Sequence, residues 1–493
     1  MSISAKNRLV ALALLGALAG CAVGPDFERP APPAVKGYAE GGDPRQTIAA
    51  SGGVQAFDAA MALPASWWEQ FDQPALTAML REAAKNNPGL LAAQAALRAS
   101  QNGLRAGYGV FFPQIEGGFG ATRETSTPIR IGESLPSSLY NLFTLSGTVS
   151  YVLDIFGGER RTVEALGAAV DLQEAEARAT WLTVATNIAS TAIARAAYHA
   201  EIAATEELAA AQREQLRLAE IQFAAGIQPF SAVLALRNQL AITEAGLPGL
   251  RQKQDQTGTL LATLVGAAPA AWTPPDIALD SLTLPQRLPL SLPSDLVEQR
   301  PDIKAAEAVL HQASAAIGVA TAALLPSVTL SGSYSANSTA MATLFNKSGQ
   351  AWDIGAGVTT PIFEGGTLWY RRKEAIETYQ QQAANYRQTV LAAYQQVADS
   401  LKAITHDAEA AEAEDRAVAA SSETLHLLQA NYDAGLVAYD QLLAGKISYL
   451  SARLAQIQAL AARHQDSVAL FAALGGGWWN EKLAEKGGTS EGR

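Results

Sequence analysis

The sequence predicts a membrane α+β protein made of one unit repeated twice. Each unit reads helix, strand, strand, long helix, helix, and the strands can close into a β-barrel only when several copies assemble. Three observations carry this. From Gly157 to Gly226 there is no Pro and, past the opening Gly157-Gly158 pair, a single internal Gly, Gly167. That run of about seventy residues is one helix, roughly 100 Å long at 1.5 Å per residue. The same punctuation then recurs in the same order further along the chain. Four stretches of about ten residues alternate apolar and polar, while no apolar run after the N-terminus is long enough to be a transmembrane helix, so any span must be a barrel.

The long helix has a seam. Val163, Leu166, Val170, Ala177, Trp181, Val184 and Ile188 fall at spacings of threes, fours or sevens, a pattern that supercoils against other helices. Its length far exceeds the usual eleven or twelve residues, so function has to account for it.

The first 20 residues read as a targeting signal. Lys6 and Arg8 precede the apolar stretch Leu9 to Ala19, which ends Leu18-Ala19-Gly20-Cys21. This is similar to a bacterial lipobox, in which the Cys is lipidated and becomes the mature N-terminus. Cys21 is the only Cys of the chain, and Ala22 rather than Asp follows it, which resembles the pattern for export to the outer membrane. The formal charge is −11, or −11 − 2 = −13 without Lys6 and Arg8, and cations are scattered. Nucleic acid is excluded as a partner, because a phosphate-binding face needs a basic patch.

Residues 21–75 read as an N-terminal segment, extended and Pro/Gly-rich to about Ala60. It is followed by the aromatic cluster Trp67-Trp68-Glu69-Gln70-Phe71, expected to pack on the body. A short amphipathic helix spans Leu76 to Lys85. The first repeat covers 76–266, a Pro-rich link 267–293, the second repeat 294–479 and a Gly- and charge-rich tail 480–493.

The duplication is visible in five pairs. Asn87-Pro88 opens a helix, as does Arg300-Pro301, with 301 − 88 = 213. Pro suits a first helical turn. Phe112-Pro113-Gln114-Ile115 matches Leu325-Pro326-Ser327-Val328, again 326 − 113 = 213. Asp154-Ile155-Phe156-Gly157-Gly158 matches Ile362-Phe363-Glu364-Gly365-Gly366. Phe223-Ala224-Ala225-Gly226 matches Tyr432-Asp433-Ala434-Gly435, with 435 − 226 = 209, and Leu264-Val265-Gly266 matches Leu474-Gly475-Gly476.

The expected strands carry their apolar residues at Ile115 to Ala121, Phe143 to Leu153, Val328 to Ala336 and Trp352 to Ile362. Their other faces are Ser- and Thr-rich, the period-two signature of strands wet on one side. Four strands cannot close, and open edges do not survive in lipid. Two copies would supply eight strands; three would supply twelve and begin to leave a lumen. The second long helix, Gly366 to Gly435, contains an acidic run from His406 to Arg416, read as a solvated face or as a charged lumen lining. Helices returning from Ala232 to Val265 and from Tyr439 to Leu474 complete the two units.

Nothing assembles a catalytic centre. The five His (His199, His311, His406, His426, His464) are isolated, read as surface or interhelical side chains, and no phosphate loop, nucleophile elbow or Cys cluster occurs. With four Met and no His pair, no metal ligand set is present.

Taken together, the lipobox Cys21-Ala22-Val23-Gly24-Pro25-Asp26-Phe27, the Trp67 to Phe71 cluster, Asn87-Pro88, Gln299-Arg300-Pro301-Asp302-Ile303, Pro361-Ile362-Phe363-Glu364-Gly365-Gly366 and Tyr432-Asp433-Ala434-Gly435 resemble the TolC-type outer membrane factors, most nearly the OprM- and NodT-like efflux lipoproteins, over residues 1–479. The resemblance implies a homotrimer: a 12-stranded β-barrel in the outer membrane, four strands per protomer, continued by a long periplasmic α-helical barrel. It implies a lipid-anchored, passive exit duct for small molecules, with diacylglycerol and palmitoyl groups on Cys21 and no other cofactor. It also implies a periplasmic adaptor and an inner-membrane resistance-nodulation-division pump as partners. The periplasmic tips would meet the adaptor through Gly226, Gln228, Pro229, Ser231, Gly435, Val437 and Tyr439. Many relatives carry an acid that narrows the pore; the matching position is Ala444, with Asp440 and Gln441 nearby as constriction candidates. Asp440 reads equally as a helix N-cap. Two other uses stay open: a duct for type I protein secretion, and a non-conducting structural lipoprotein of the envelope.

Overall fold

The computed structural model describes residues 22–35, 37–39, 41–126 and 138–480. Cys21, the signal 1–20 and residues 481–493 of the tail lie outside the described residues. The chain divides into two compact units, residues 1–29, 97–173 and 306–386, and residues 30–96, 174–305 and 387–493.

The first unit is built on an antiparallel sheet of β2 (Gln114–Ser126), β3 (Ser138–Leu153), β5 (Ser327–Ser338) and β6 (Gln350–Thr359), in the order β2-β3-β5-β6. Its register keeps most apolar positions on one face, with Leu142 and Val152 of β3 on the other. Ile115 pairs Val149, Phe119 pairs Leu145, Tyr151 pairs Leu330, and Tyr334 pairs Trp352. Ser and Thr predominate on the other face, where Ser146 pairs Ser335, Thr148 pairs Ser333 and Ser150 pairs Ser331. A one-residue slip would exchange the two faces, so the alternation itself sets the register. Among the described residues, the outer strands β2 and β6 each leave one edge unpaired, 13 and 10 residues long. Ile362 does not belong to β6: the strand stops at Thr359 and Ile362 is 95% exposed beyond it.

Helix α2 (Pro88–Gly107) leads into the sheet, and α6 (Pro301–Ala322) does the same in the second repeat. The long helices are α3 (Gly158–Ala224) and α7 (Thr367–Asp433), 67 residues each. Their first turns lie in the sheet unit. There the N-terminal segment is not the extended tether expected. The Val23 N–H donates to Phe156 O at 2.9 Å, and Arg161 donates to Asp26 and Glu164, both at 2.7 Å, and to the Val23 carbonyl at 3.3 Å. Phe27 stacks on His311 with ring centroids 4.3 Å apart, and His311 Nε2 lies 2.9 Å from Glu164. A buried guanidinium needs acceptors on every side, and the backbone of residues 23–24 supplies them. Gly24 sits at φ +94°, and a β-carbon there would run into the backbone of Gly318.

The second unit contains α1 (Pro74–Asn86), the remainder of α3 and α7, the returning helices α4 (Phe230–Val265) and α8 (Tyr439–Ala473), and the short α5 (Pro293–Gln299). Trp67, 1% exposed, stacks on Phe471 at 5.3 Å, and Phe71 is fully buried. The Pro-rich link carries two short 3-10 turns, Pro269–Ala271 and Leu279–Ser281, and forms β4 (Arg287–Pro289), parallel to β1 (Ala56–Asp58) within the N-terminal segment. Neither short strand has enough residues to show a period.

The paired motifs Asn87-Pro88 and Arg300-Pro301 acquire a common purpose. Asn87 Nδ2 donates to Leu264 O at 2.8 Å and Arg300 Nη1 donates to Ala473 O at 2.7 Å, with 473 − 264 = 209. In each repeat the residue before the Pro satisfies a carbonyl that the end of the returning helix leaves open. The acidic run of α7 does not form one solvated face. Glu409 is exposed, but Asp415 turns inward to accept from the Ser51 N–H and from Gln456 Nε2, both at 2.6 Å.

Candidate functional site

Both long helices end on the same turn. Gly226 adopts φ +70° and Gly435 φ +73°, the left-handed conformation that suits Gly. The Ile227 N–H donates to Gln222 O and the Leu436 N–H to Asn431 O, each at 2.8 Å, closing a Schellman-type cap. Across each turn an aromatic pair fastens the outgoing helix to the returning one: Phe223 to Phe230 at 5.1 Å, and Tyr432 to Tyr439 at 5.3 Å. Both pairs are seven residues apart and related by the 209-residue offset, a signal present in the sequence and not used above. Pro229 and Ala438 hold the N-cap positions with extended backbone.

One turn carries Gly226, Gln228, Pro229 and Ser231; the other carries Gly435, Val437 and Tyr439. The apolar tips Ile227 and Leu436 stand out at 72% and 74% exposure. Of the constriction candidates, Asp440 is half-buried while Gln441 and Ala444 are exposed. Asp440 is not the N-cap: Ala438 is, and Asp440 lies in the first helical turn, where its Oδ1 accepts the Gln441 N–H at 3.0 Å. A carboxylate there is favoured by the helix dipole. Ala444 is one turn further along the same helix face.

Beyond the tips, a buried polar network joins α8 to the N-terminal segment. Arg463 is fully buried and donates to the carbonyls of Ser51 and Gly53, the latter at 2.9 Å, and to Gln55 Oε1 at 3.2 Å. Gln55 Nε2 donates to Ser467 Oγ at 2.9 Å. Burial would raise the Asp415 carboxyl, but the Ser51 and Gln456 bonds outweigh it and hold Asp415 below its ordinary value. Burial drives the neighbouring His464 down to about 4, so this imidazole is neutral. Burial, helped by Asp407, pushes the Asp466 carboxyl up to about 7. These partners come from segments about 400 residues apart in the chain, so no local pattern announces them. Among the described residues no three His, Cys, Asp or Glu gather as a metal-holding group, and no helix is long and apolar enough to cross a membrane.

A profile of the outer membrane efflux protein family matches residues 79–267 and 292–476. The chain is 28% identical over 468 residues to the cation efflux system protein CusC of Escherichia coli O6:H1, covering 94% of this chain and 97% of that protein. It is 28% identical over 432 residues to the pyoverdine export outer membrane protein OpmQ of Pseudomonas aeruginosa, covering 85% and 89%. The solved structure of the outer-membrane channel OprN superposes with a TM-score of 0.80 at 26% identity, covering 93% of this chain and all of that one. The duplicated unit, the one-faced sheet and the twin helix tips are thus those of a known architecture: this chain belongs to the outer membrane efflux protein family.

Proposed function

We propose that this protein is the outer-membrane exit duct of a tripartite efflux assembly, passively conducting small molecules delivered by an inner-membrane pump through a periplasmic adaptor. The observation that carries it is the sheet: one face mainly apolar in all four strands, the other hydroxyl-rich, and two long edges without partners among the described residues. Three copies pair edge to edge into twelve strands with a polar lumen and an apolar rim. The duct works by geometry and needs no catalytic group. The chain anchors through lipid on Cys21, and Ala22, the next residue, packs on Gly157 between β3 and α3, at the helical end of the sheet. Relatives named for cation efflux and for pyoverdine export match it at the same 28% identity, which favours small cargo over secreted protein and leaves the choice of cargo to the pump.

In this reading the turns 226–231 and 435–440 receive the adaptor, through Ile227 and Leu436 as well as the residues named above. Asp440 forms the narrowing ring, with Gln441 and Ala444 beside it. Three Asp440 carboxylates around one axis repel each other and attract cations. Reconstituted trimers in planar bilayers should conduct, and Asp440→Asn should raise conductance and abolish block by divalent cations. A wild-type trimer that never conducts rejects the duct. A conducting trimer whose block survives Asp440→Asn rejects only this gate.

A further inference from the structure

Aligned from their first residues, the two long helices correspond at an offset of 367 − 158 = 209. Arg161 then matches Tyr370 and Glu164 matches Lys373. In α3 this face is covered: Arg161 is 4% exposed beneath residues 23–26, the chain that leads to Cys21. In α7 the same face is bare. Trp369 and Tyr370 are 52% and 67% exposed, and Lys373 Nζ stands over both rings at 5.7 and 5.8 Å.

The charges differ as well. At the start of α3 the cations are neutralised, Arg160 by Asp154 at 3.0 Å and Arg161 by Asp26 and Glu164. At the start of α7, Arg371 and Lys373 have no carboxylate within ion-pair distance among the described residues, and both are exposed. Arg372 is tied inward to Thr321 Oγ1 at 3.1 Å. Aromatic rings with cations at the end of a membrane strand are the chemistry of a lipid headgroup layer. The helical end of the sheet also has somewhere to lay an acyl chain. A trench of about 700 Å³ on the apolar face, floored by Gly147 and Gly332, opens at that end beside Pro113 and Tyr151.

We propose that the first two turns of α7 bind the phosphate of an anionic phospholipid in the periplasmic leaflet of the outer membrane, through Lys373 and Arg371 with Trp369 and Tyr370 at headgroup level. The second repeat then has its own grip on that leaflet, where the first repeat uses the lipidated N-terminal segment. This rests on the sheet lying in the outer membrane.

The test is native mass spectrometry of full-length trimers exchanged into phosphatidylglycerol or phosphatidylcholine nanodiscs. Wild type should retain phosphatidylglycerol preferentially, and Arg371→Ala with Lys373→Ala should lower that retention by about thirty-fold, roughly five-fold per cation. Lys402→Ala, an exposed cation further along α7, should change nothing. Equal retention of the two lipids, or a double variant that holds phosphatidylglycerol as wild type does, overturns the proposal. So does displacement by inorganic phosphate, which marks a free-anion site. Dissociation of the double variant into monomers also overturns it, because that places this face against a neighbouring protomer. Conductance of the same preparation reports on the duct separately.

Discussion

The two returning helices, α4 and α8, share topology and nearly the same length, 36 and 35 residues, yet they are held differently. Only six residues of α4 are buried, and it contains Gly246-Leu247-Pro248-Gly249 in its middle. The matching position in α8, 248 + 209 = 457, is Ile457, 9% exposed and followed by the buried Arg463, His464 and Ser467. Leu234, Ile242 and Leu260 of α4 face outward, whereas no large apolar side chain of α8 does. The buried copy tied to a cation has the features of a rigid helix, and the exposed copy with an internal Pro has those of a pliable one. The rigid copy is the one welded to residues 51–55 through a buried cation. The uncovered copy retains the apolar surface that a neighbouring protomer in a ring can bury.

The sharpest way to break this comparison is Arg463→Met. It strips donors from two buried carbonyls and from Gln55, and should cost about 3 kcal/mol, read as a lower thermal midpoint with early proteolysis near residues 47–58. The counterpart in α4, Gln254→Met (463 − 209 = 254), should cost under about 0.5 kcal/mol. Equal losses at the two sites would erase the distinction.

Pro248→Ala tests the pliable copy. A Pro inside a helix forfeits one hydrogen bond and bends the backbone. Replacing it should stabilise α4 by up to about 3 kcal/mol and slow hydrogen exchange in the turns around it. Unchanged exchange would mean that α4 is stiffened by something other than its own backbone.

The smallest effect is a pH dependence confined to α8. Asp466 is raised in the folded state, so its contribution is fully present below the unfolded value and is lost as pH rises through about 7. His464 is depressed, so its contribution is present above its unfolded value and is lost as pH falls toward about 4. From about pH 6 to pH 8 the Asp466 effect prevails. Hydrogen exchange should show α8 loosening relative to α4 across that window, and Asp466→Asn should remove the difference. Identical profiles for variant and wild type would rule out Asp466 as the cause.

Periodicity and punctuation made much of the fold legible, because they are local. The seam through Val163 and Ile188, the alternation of Ile115 to Ala121 and the turns at Gly226 and Gly435 each depend on residues within a few positions. The tip turns were legible for the same reason, although the pairs Phe223–Phe230 and Tyr432–Tyr439 that fasten them were not used. What escaped was long-range. Asp440 looked equally like a helix N-cap, because one residue decides where a helix starts and that residue proved to be Ala438. Residues 23–29 looked like a tether, because Pro25 and Gly24 break periodicity whether a segment is free or held. The acids Asp407 and Asp415 looked solvated because composition does not reveal which side of a helix a partner will cover.

By itself the sequence determined the duplication, the long helices and the four sheet strands, and the need for assembly, since a four-stranded sheet with one apolar face cannot stand alone in a membrane. Tertiary structure alone decided which charges are buried, where the N-terminal segment grips and which copy of each element is left bare. Those outcomes depend on side chains hundreds of residues apart meeting in a low-dielectric interior, where a partner's presence or absence is worth more than any local preference.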